Sequence, residues 1–511
     1  MTFHSVLVRS SEESAYVENR DAPNFFFDLN LDQVVEALTA DWRGYDLAPF
    51  FHASLHDVDA IAYRQEVMRD LEDGPTIRVI QNFSKAMRTM RNHLVQAEKL
   101  SYYEYAQQRC FLNAVDVYCA AIESLSTNLS ALFLVSRALN ALRDYLAEYV
   151  ASPGFTQLAS KTKHLTADLA AICYFVLLRE GSVTVRHIET ETDYSAVIEA
   201  IFEKFGSGAA YSYGLEKQKW EGMNHIEAQI QQRVGLLFPE LFSMLGRFCE
   251  AHKDYADATL MRFDREVQFY VSYLTYIDKL RRHGLTFSQP TLSHTSKEVR
   301  ASQAFDIALA GKLLGTKTNV VTNDFFLQGP ERIFVVSGAN QGGKTTFART
   351  FGQMHYLAAL GCPVPGKDVH LFLYDRMFTH FETEEDIRSL RGKLQDDLVR
   401  IHRVLEEATP NSVIVMNEIF ASTTLLDAVY LGKKILERIS ALDLVAVFVT
   451  FLDELASFNE KTVSVVSTVN PANPALRTYK LERKPADGLA YAMAIAQKYR
   501  VTYDSLLERI P

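Results

Sequence analysis

No apolar run in this chain of 511 residues reaches the length of a membrane span. The opening residues, Met1-Thr-Phe-His-Ser-Val-Leu-Val-Arg-Ser, show none of the zones of a signal peptide. Cysteine is scarce. Cys110, Cys119, Cys173, Cys249 and Cys362 are scattered, odd in number and free of any C-x-x-C pair, so neither a disulfide framework nor a zinc site is expected. Positive charge is in deficit as well: the formal net charge is −10. That excludes a chain that coats nucleic acid indiscriminately, which takes phosphate neutralisation by Lys and Arg, and leaves local basic patches open. The expectation is a cytoplasmic protein of ordinary globular composition, 48% hydrophobic and 23% charged, in two to four domains because one core does not grow to this length.

What is present centres on Ile333 to Thr346. An apolar run with β-branched Ile333, Val335 and Val336 stops at Gly338, a glycine-rich loop follows, and Lys344-Thr345-Thr346 opens a segment that reads as helix through Leu360. Strand, G-x-x-x-x-G-K-T, then helix is the context a P-loop needs. Glycines at 338, 342 and 343 let backbone N–H groups curl around phosphate oxygens at a helix N-terminus. Lys344 supplies a point charge for the β- and γ-phosphates, and the Thr345 hydroxyl a ligand for Mg²⁺. Gly338, Ala339, Asn340, Gln341, Gly342, Gly343, Lys344, Thr345 and Thr346 are therefore the predicted ATP-binding residues.

Along the chain, residues 1–24 are polar and aperiodic and read as a loose terminal arm. Apolar spacing of three to four predicts helices from Phe25 and over roughly Asp57 to Leu71, ending at Gly74-Pro75. Residues 76–180 read almost wholly as long helices broken near Ser152-Pro153-Gly154, and Ser182 to Glu189 as a short strand or hairpin. Gly206-Ser-Gly208 reads as a joint, after which helix returns from Asn224 to His283, and Pro290 to Thr322 is a mixed connector. Beyond the P-loop, strands are predicted at Leu371–Tyr374, Val413–Met416, Leu444–Thr450, Val463–Ser467 and Thr478–Glu482, with helices between them. The fold class is α plus α/β: an arm over 1–24, an extended helical domain over 25–290, and a doubly wound P-loop domain over 291–511.

In that second half, the apolar strand Val413-Ile-Val-Met ends in Asn417-Glu418. P-loop hydrolases place an acid for Mg²⁺ at this point, with a residue that orients the attacking water. Glu418 fits the catalytic role; Asn417 is a metal and nucleotide contact that brings no negative charge. Ser422, Thr423 and Thr424 start the next predicted helix, where hydroxyls ordinarily act as N-caps.

Together these motifs resemble the MutS family of mismatch-repair ATPases. Gly338-Ala-Asn-Gln-Gly-Gly-Lys-Thr345 is similar to its G-P-N-M-G-G-K-S loop, Gly361-Cys-Pro-Val-Pro365 to G-x-x-V-P, and Asp375-Arg-Met-Phe-Thr379 to D-R-I-F-T. Met416-Asn-Glu-Ile419 with Thr423, Thr424 and Asp427 parallels D-E-I-G-R-G-T-S-T-x-D-G, and Tyr479-Lys-Leu with Asp487-Gly488-Leu-Ala-Tyr491-Ala is similar to the terminal segment. Asp28-Leu-Asn-Leu-Asp32 and Tyr63-Arg-Gln-Glu66 match the family's core region more loosely. The resemblance implies an ABC-type ATPase on a helical lever, working with ATP and Mg²⁺ as a two-fold homodimer around DNA. Each subunit's Ser422–Thr424 element would face the other's nucleotide.

Three departures stand out. Asn417 replaces an Asp, Phe451 in Val449-Thr-Phe replaces the His of A-T-H, and the lever begins near Phe25, with no room for the mismatch-reading and connector domains. Phe238-Pro-Glu240 matches the family's Phe-x-Glu wedge only in letters and reads as a helix start. Lys85, Arg88 and Arg91 on one helix face, and Lys279-Leu-Arg-Arg282, are candidate DNA contacts or plain solvated surface. Three readings remain: a DNA clamp without mismatch readout, a weakly hydrolysing scaffold for a protein partner, and the ATPase of a membrane transporter.

Overall fold

The computed structural model describes residues 3–10, 12–13, 17–179, 182–188, 225–316, 318–382, 392–420, 423–470, 473–486 and 502–507. Gly206-Ser-Gly208, Ser422 and the segment from Asp487 to Ala492 lie outside the described residues. The chain divides into two compact units. One comprises Met1–Thr2, Pro75–Phe133 and Ala141–Asp264; the other Phe3–Gly74, Leu134–Asn140 and Arg265–Pro511.

The first unit is built from helices Gly74–Lys99, Glu104–Ser130, Arg137–Ala151, Pro153–Ala170, His225–Leu237, Pro239–Ala251 and Ala258–Arg281, several reaching past its limits. The break expected near Ser152 is a helix junction: the Ser152 side chain accepts a hydrogen bond from Phe155 N, and Pro153 takes the first helical position, where its missing N–H costs nothing. Pro239 does the same after Phe238, so Phe238-Pro-Glu240 is a helix start. The helical reading to residue 180 runs too far. Tyr174–Arg179, rich in aromatic and branched residues, pairs antiparallel with Ser182–His187 as a hairpin. Of the basic face on Gly74–Lys99, Arg91 is paired with buried Asp264.

In the second unit the N-terminal segment is not loose. Val6 and Leu7 are fully buried, and the carbonyls of Ser5, Val6 and Leu7 accept hydrogen bonds from Tyr63, Tyr270 and Arg64. A polar average over 24 residues hid this short apolar run. Arg64, itself buried, also donates to Leu360 O, so the loosely matching Tyr63-Arg64 pair is structural. Arg281 of the second basic cluster bonds Glu72 at 2.6 Å.

Six strands form the main sheet: β1 (Ile333–Gly338), β2 (Met377–Phe381), β3 (Val413–Asn417), β4 (Val445–Val449), β5 (Thr462–Asn470) and β6 (Asn473–Arg483), in spatial order β2-β3-β4-β1-β5-β6. The first five are parallel and β6 is antiparallel. Strands β3 and β4 and the first five residues of β1 are buried throughout, which is why they read as unbroken apolar runs. Alternate residues face opposite layers. Ile333 and Val335 join the cluster under α2 (Lys393–Glu407) and α3 (Leu425–Leu442), whereas the Phe334 ring meets Phe347 and Phe351 of α1 (Lys344–Ala359). Helices therefore cover both faces.

Two predicted elements are corrected here. The strand expected at Leu371–Tyr374 is Lys367–Phe372, and it belongs to a separate four-stranded sheet with Thr291–Ser293, Val299–Ala304 and Asn323–Leu327. The segment Pro290 to Thr322, expected to be a mixed connector, supplies two of those strands and the helix Ile307–Leu313. The main-sheet strand β2, which starts inside the Asp375-to-Thr379 motif and runs to Phe381, was not foreseen. Asp375 itself anchors a turn, accepting from Ser412 Oγ at 3.0 Å.

Candidate nucleotide site

The site forms where the strand order reverses. β1 runs between β4 and β5, and the loops leaving β1 and β3 open at the same carboxyl edge of the sheet, the usual place for a ligand crevice. The chain leaves β1 through Gly338 at φ 104°, turns at Gln341 at φ 59°, and enters α1 through Gly343 at φ 96°. These left-handed angles suit glycine at two of the three positions. Sterics demand it at a further one: a β-carbon on Gly342 would lie 2.5 Å from Ser467 Oγ on β5 and 2.8 Å from Ala339 O.

Lys344 is the first residue of α1 and is 4% exposed. Its ammonium donates to Gly338 O at 3.1 Å, Ala339 O at 3.4 Å and Asn340 Oδ1 at 3.3 Å, and it stands 3.5 Å from a Glu418 carboxylate oxygen. The Thr345 hydroxyl donates to Asn417 Oδ1 at 2.9 Å. β3 is thus in register to set Asn417 and Glu418 beside the loop. Glu418 sits at φ 53° with its N–H bonded to Val449 O, and Phe420 sits at φ 63°.

A cavity of about 440 Å³ opens over these groups. One wall is Gln341 to Thr346 with Glu418; the other is Leu309, Leu313, Thr318 to Val321, Asn323 and Tyr479. The loop side offers Lys344 and backbone N–H groups. The lining also holds Leu309, Leu313, Val320, Val321 and the Tyr479 ring beside Thr318, Asn319 and Asn323, a mixture of polar and apolar groups suited to a nucleoside phosphate. Gln341, Glu418 and Tyr479, the last at φ 57°, are bulky residues in a left-handed conformation, and all three line this one cavity. Strain of this kind, costing roughly 1–3 kcal/mol each, collects at ligand sites. Asn323 holds Tyr479 in place, donating to its carbonyl at 3.1 Å and accepting from Leu481 N at 2.8 Å.

The structure brings together the predicted Gly338–Thr346 loop with Asn417 and Glu418. Thr423 and Thr424 are not among the cavity's lining residues. Thr424 caps α3, accepting from Asp427 N at 3.2 Å and donating to Asp427 Oδ2 at 2.8 Å. Sequence reasoning missed Ser467 beneath the loop and the wall from Leu309 to Asn323, whose residues carry no motif. Leu309 and Leu313, four apart on one short helix, were the available signal.

Mg²⁺, which the resemblance implies, would meet an uncharged pair of oxygens here. A P-loop hydroxyl and an acid at the end of the neighbouring strand ordinarily hold this ion. Here both oxygens, Thr345 Oγ1 and Asn417 Oδ1, are neutral and bonded to each other. Among the described residues no group of three His, Cys, Asp or Glu could hold a metal. The cavity fits a nucleotide; the donor set does not fit a firmly held Mg²⁺.

Residues 334–502 match the family model described as MutS domain V. The chain is 24% identical over 348 residues to the DNA mismatch repair protein MutS of Streptococcus pneumoniae (strain Hungary19A-6), covering 63% of this chain and 41% of that protein. It is 24% identical over 224 residues to the DNA mismatch repair protein MutS of Petrotoga mobilis, covering 41% of this chain and 26% of that protein. The DNA mismatch repair protein HexA of Streptococcus pneumoniae serotype 4 matches at 24% over 348 residues, covering 63% of this chain and 41% of that protein. The chain spans less than half the length of these relatives.

Proposed function

We propose that this chain, whose residues 334–502 match MutS domain V, is a nucleotide-gated clamp on DNA that binds ATP in the Gly338–Thr346 loop and hydrolyses it with Glu418 as base. The observation that carries the reading is the cradle around Lys344. A buried ammonium is held by loop carbonyls and faces Glu418 at 3.5 Å, in a cavity also lined by Leu309, Leu313 and the Tyr479 ring. Glycine-loop N–H groups and Lys344 hold the phosphates, and Thr345, Thr346 and Asn340 complete the contacts. Glu418 accepts the proton of the attacking water once a γ-phosphate draws Lys344 away. DNA is proposed as the partner because the relatives are named for DNA mismatch repair. Two copies would meet so that Ser422, Thr423 and Thr424 of each face the other's nucleotide. Exposed Leu425, Leu426 and Tyr430 at the start of α3 offer apolar surface for such a contact.

The test is ATP hydrolysis by the purified chain, alone and with linear, mismatched and branched DNA. Glu418→Gln is expected to lower turnover by about 10²-fold or more while nucleotide binding survives, and Lys344→Ala to abolish binding. One DNA form is expected to change the rate. Turnover that survives Glu418→Gln would remove Glu418 from the mechanism, and indifference to every DNA form would remove the clamp.

A second reading is favoured by the neutral Thr345–Asn417 pair and by Phe451, half-exposed just after β4. In it the site binds ATP, barely hydrolyses it, and gates a protein partner. Robust turnover abolished by Glu418→Gln would exclude it.

A further inference from the structure

The helix Ile307–Leu313, which contributes Leu309 and Leu313 to the cavity, is too short to stand without tertiary support. Beyond Leu314 the described residues form no helix or strand until Asn323, so strand pairing does not anchor the wall from that side. Its anchorage lies at the other end, on Gln353 of the P-loop helix α1. We propose that Gln353 and Asp306 are positioning residues that hold the Leu309–Leu313 wall against the nucleoside and so make the site prefer a nucleotide to a bare polyphosphate; the proposal rests on the nucleotide reading above.

Gln353 is wholly buried, on the same helix as Lys344. Its Oε1 accepts from Ile307 N at 3.0 Å, and its Nε2 donates to Asp306 Oδ1 at 2.8 Å and to Leu29 O at 2.8 Å. Asp306 Oδ1 in turn caps the wall helix, accepting from Ala308 N at 2.9 Å and Leu309 N at 3.0 Å. Two side chains thus close N–H groups that a helix leaves open at its start. Ile307 and Ala310 are buried, while Leu309 and Leu313, four apart and half-buried, line the cavity. Leu29 completes the clip: a β-carbon on the neighbouring Gly352 would lie 2.7 Å from Leu29 Cδ2. An amide suits position 353 because it donates and accepts at once, where a carboxylate would set a second acid against Asp306. A site is held only as firmly as the groups behind it, and a buried network fixes position while every member is satisfied. The phosphates meet Lys344 and the loop at the start of α1, which Gln353 does not touch. Releasing the clip therefore loosens the nucleoside wall and leaves the phosphate cradle in place.

The experiment titrates the full chain by calorimetry with ATP and, in the same buffer, with inorganic tripolyphosphate, which has the phosphates and no nucleoside. Wild type is expected to bind ATP at least about tenfold more tightly. Gln353→Met, similar in length and without polar atoms, is expected to narrow that gap to about threefold or less, with tripolyphosphate affinity unchanged. Asp306→Asn keeps an oxygen for the cap and for Gln353 and is expected to keep the wild-type gap. A wild-type gap below about threefold, a gap unchanged in Gln353→Met, a loss shared equally by both ligands, or a gap lost equally in Asp306→Asn overturns the proposal and leaves the nucleotide reading standing. Absence of ATP binding by wild type overturns the nucleotide reading itself. Should Gln353→Met fail to fold, amide exchange in the wild type decides. Exchange at Ile307, Ala308 and Leu309 is expected to slow with ATP and not with tripolyphosphate, and no slowing with ATP overturns the proposal.

Discussion

At position 342 a single methyl group separates a working loop from a blocked one. Its carbon would lie 2.5 Å from Ser467 Oγ and 2.8 Å from Ala339 O, and the second neighbour is backbone that cannot swing aside. Gly342→Ala is therefore expected to lower ATP affinity by at least about tenfold. Removing the flexible neighbour in Gly342→Ala/Ser467→Gly is expected to restore part of it, as coupled contacts do in a double-mutant cycle. Calorimetric titration of the two variants checks this; wild-type affinity in Gly342→Ala would show that the loop yields. Residues of this kind divide what was legible. Gly342 and Lys344 announce themselves through their spacing. Ser467 is an ordinary serine on an ordinary strand, and its role comes only from the register that pairs it with Gly338.

At the scale of elements, Thr424 illustrates how a motif and a local rule can share one residue. Its hydroxyl accepts from Asp427 N and so satisfies one orphan donor of α3, a bond of a kind worth about 1 kcal/mol. Thr424→Ala is expected to lower unfolding stability by about that amount, and Thr424→Ser to keep it, since serine caps at least as well and can still donate to Asp427 Oδ2. Equilibrium urea unfolding of both variants measures it; equal loss in the two would show that the stabilisation comes from something other than the cap. Elements were legible where burial was complete on both faces. β1, β3 and β4 are continuous apolar runs that leave no alternative to a parallel sheet. β2 was missed because Met-Phe-Thr-His-Phe places Thr379 and His380 in the sheet, where Thr379 is bonded to Asp28 and His380 to Asp397. Partners distant in sequence turn polar residues into interior ones. The N-terminal segment was misread for the same reason: Ser5 to Val8 become interior only once Tyr63, Arg64 and Glu266 meet them.

The largest scale on which the chain's chemistry acts is its response to pH, and there two histidines of the second unit set the direction. His355, on α1, is wholly enclosed, with Nδ1 2.8 Å from Phe351 O and Nε2 without a partner; burial depresses its pKa to about 4. His380, on β2, is likewise depressed to about 4 by burial first and by Arg400 second, with Asp28 opposing, so its contact with Asp397 joins a neutral imidazole to a carboxylate. An unfolded histidine titrates near 6.5, so between pH 6.5 and 4 the unfolded chain binds protons that the folded chain refuses. The stabilisation is complete above pH 6.5 and is lost as pH falls through that window. Two such groups allow a slope of up to about 2.7 kcal/mol per pH unit. Asp306 and Asp397, both raised by burial, work in the opposite sense, and they do so from the carboxylate range upward, so they blunt the acid end of the loss. Trp42 reports on this unit through its bond to Gln268, once Trp220→Phe removes the other tryptophan. In that background the urea midpoint followed by Trp42 fluorescence is expected to drop steeply from pH 7 to pH 5. His380→Gln should flatten the slope by about half, because glutamine can donate to Asp397 and takes up no proton in this range. A midpoint that stays level from pH 7 to pH 5 would mean that both imidazoles take up protons in the folded chain, and the neutral pairing of His380 with Asp397 would have to be withdrawn.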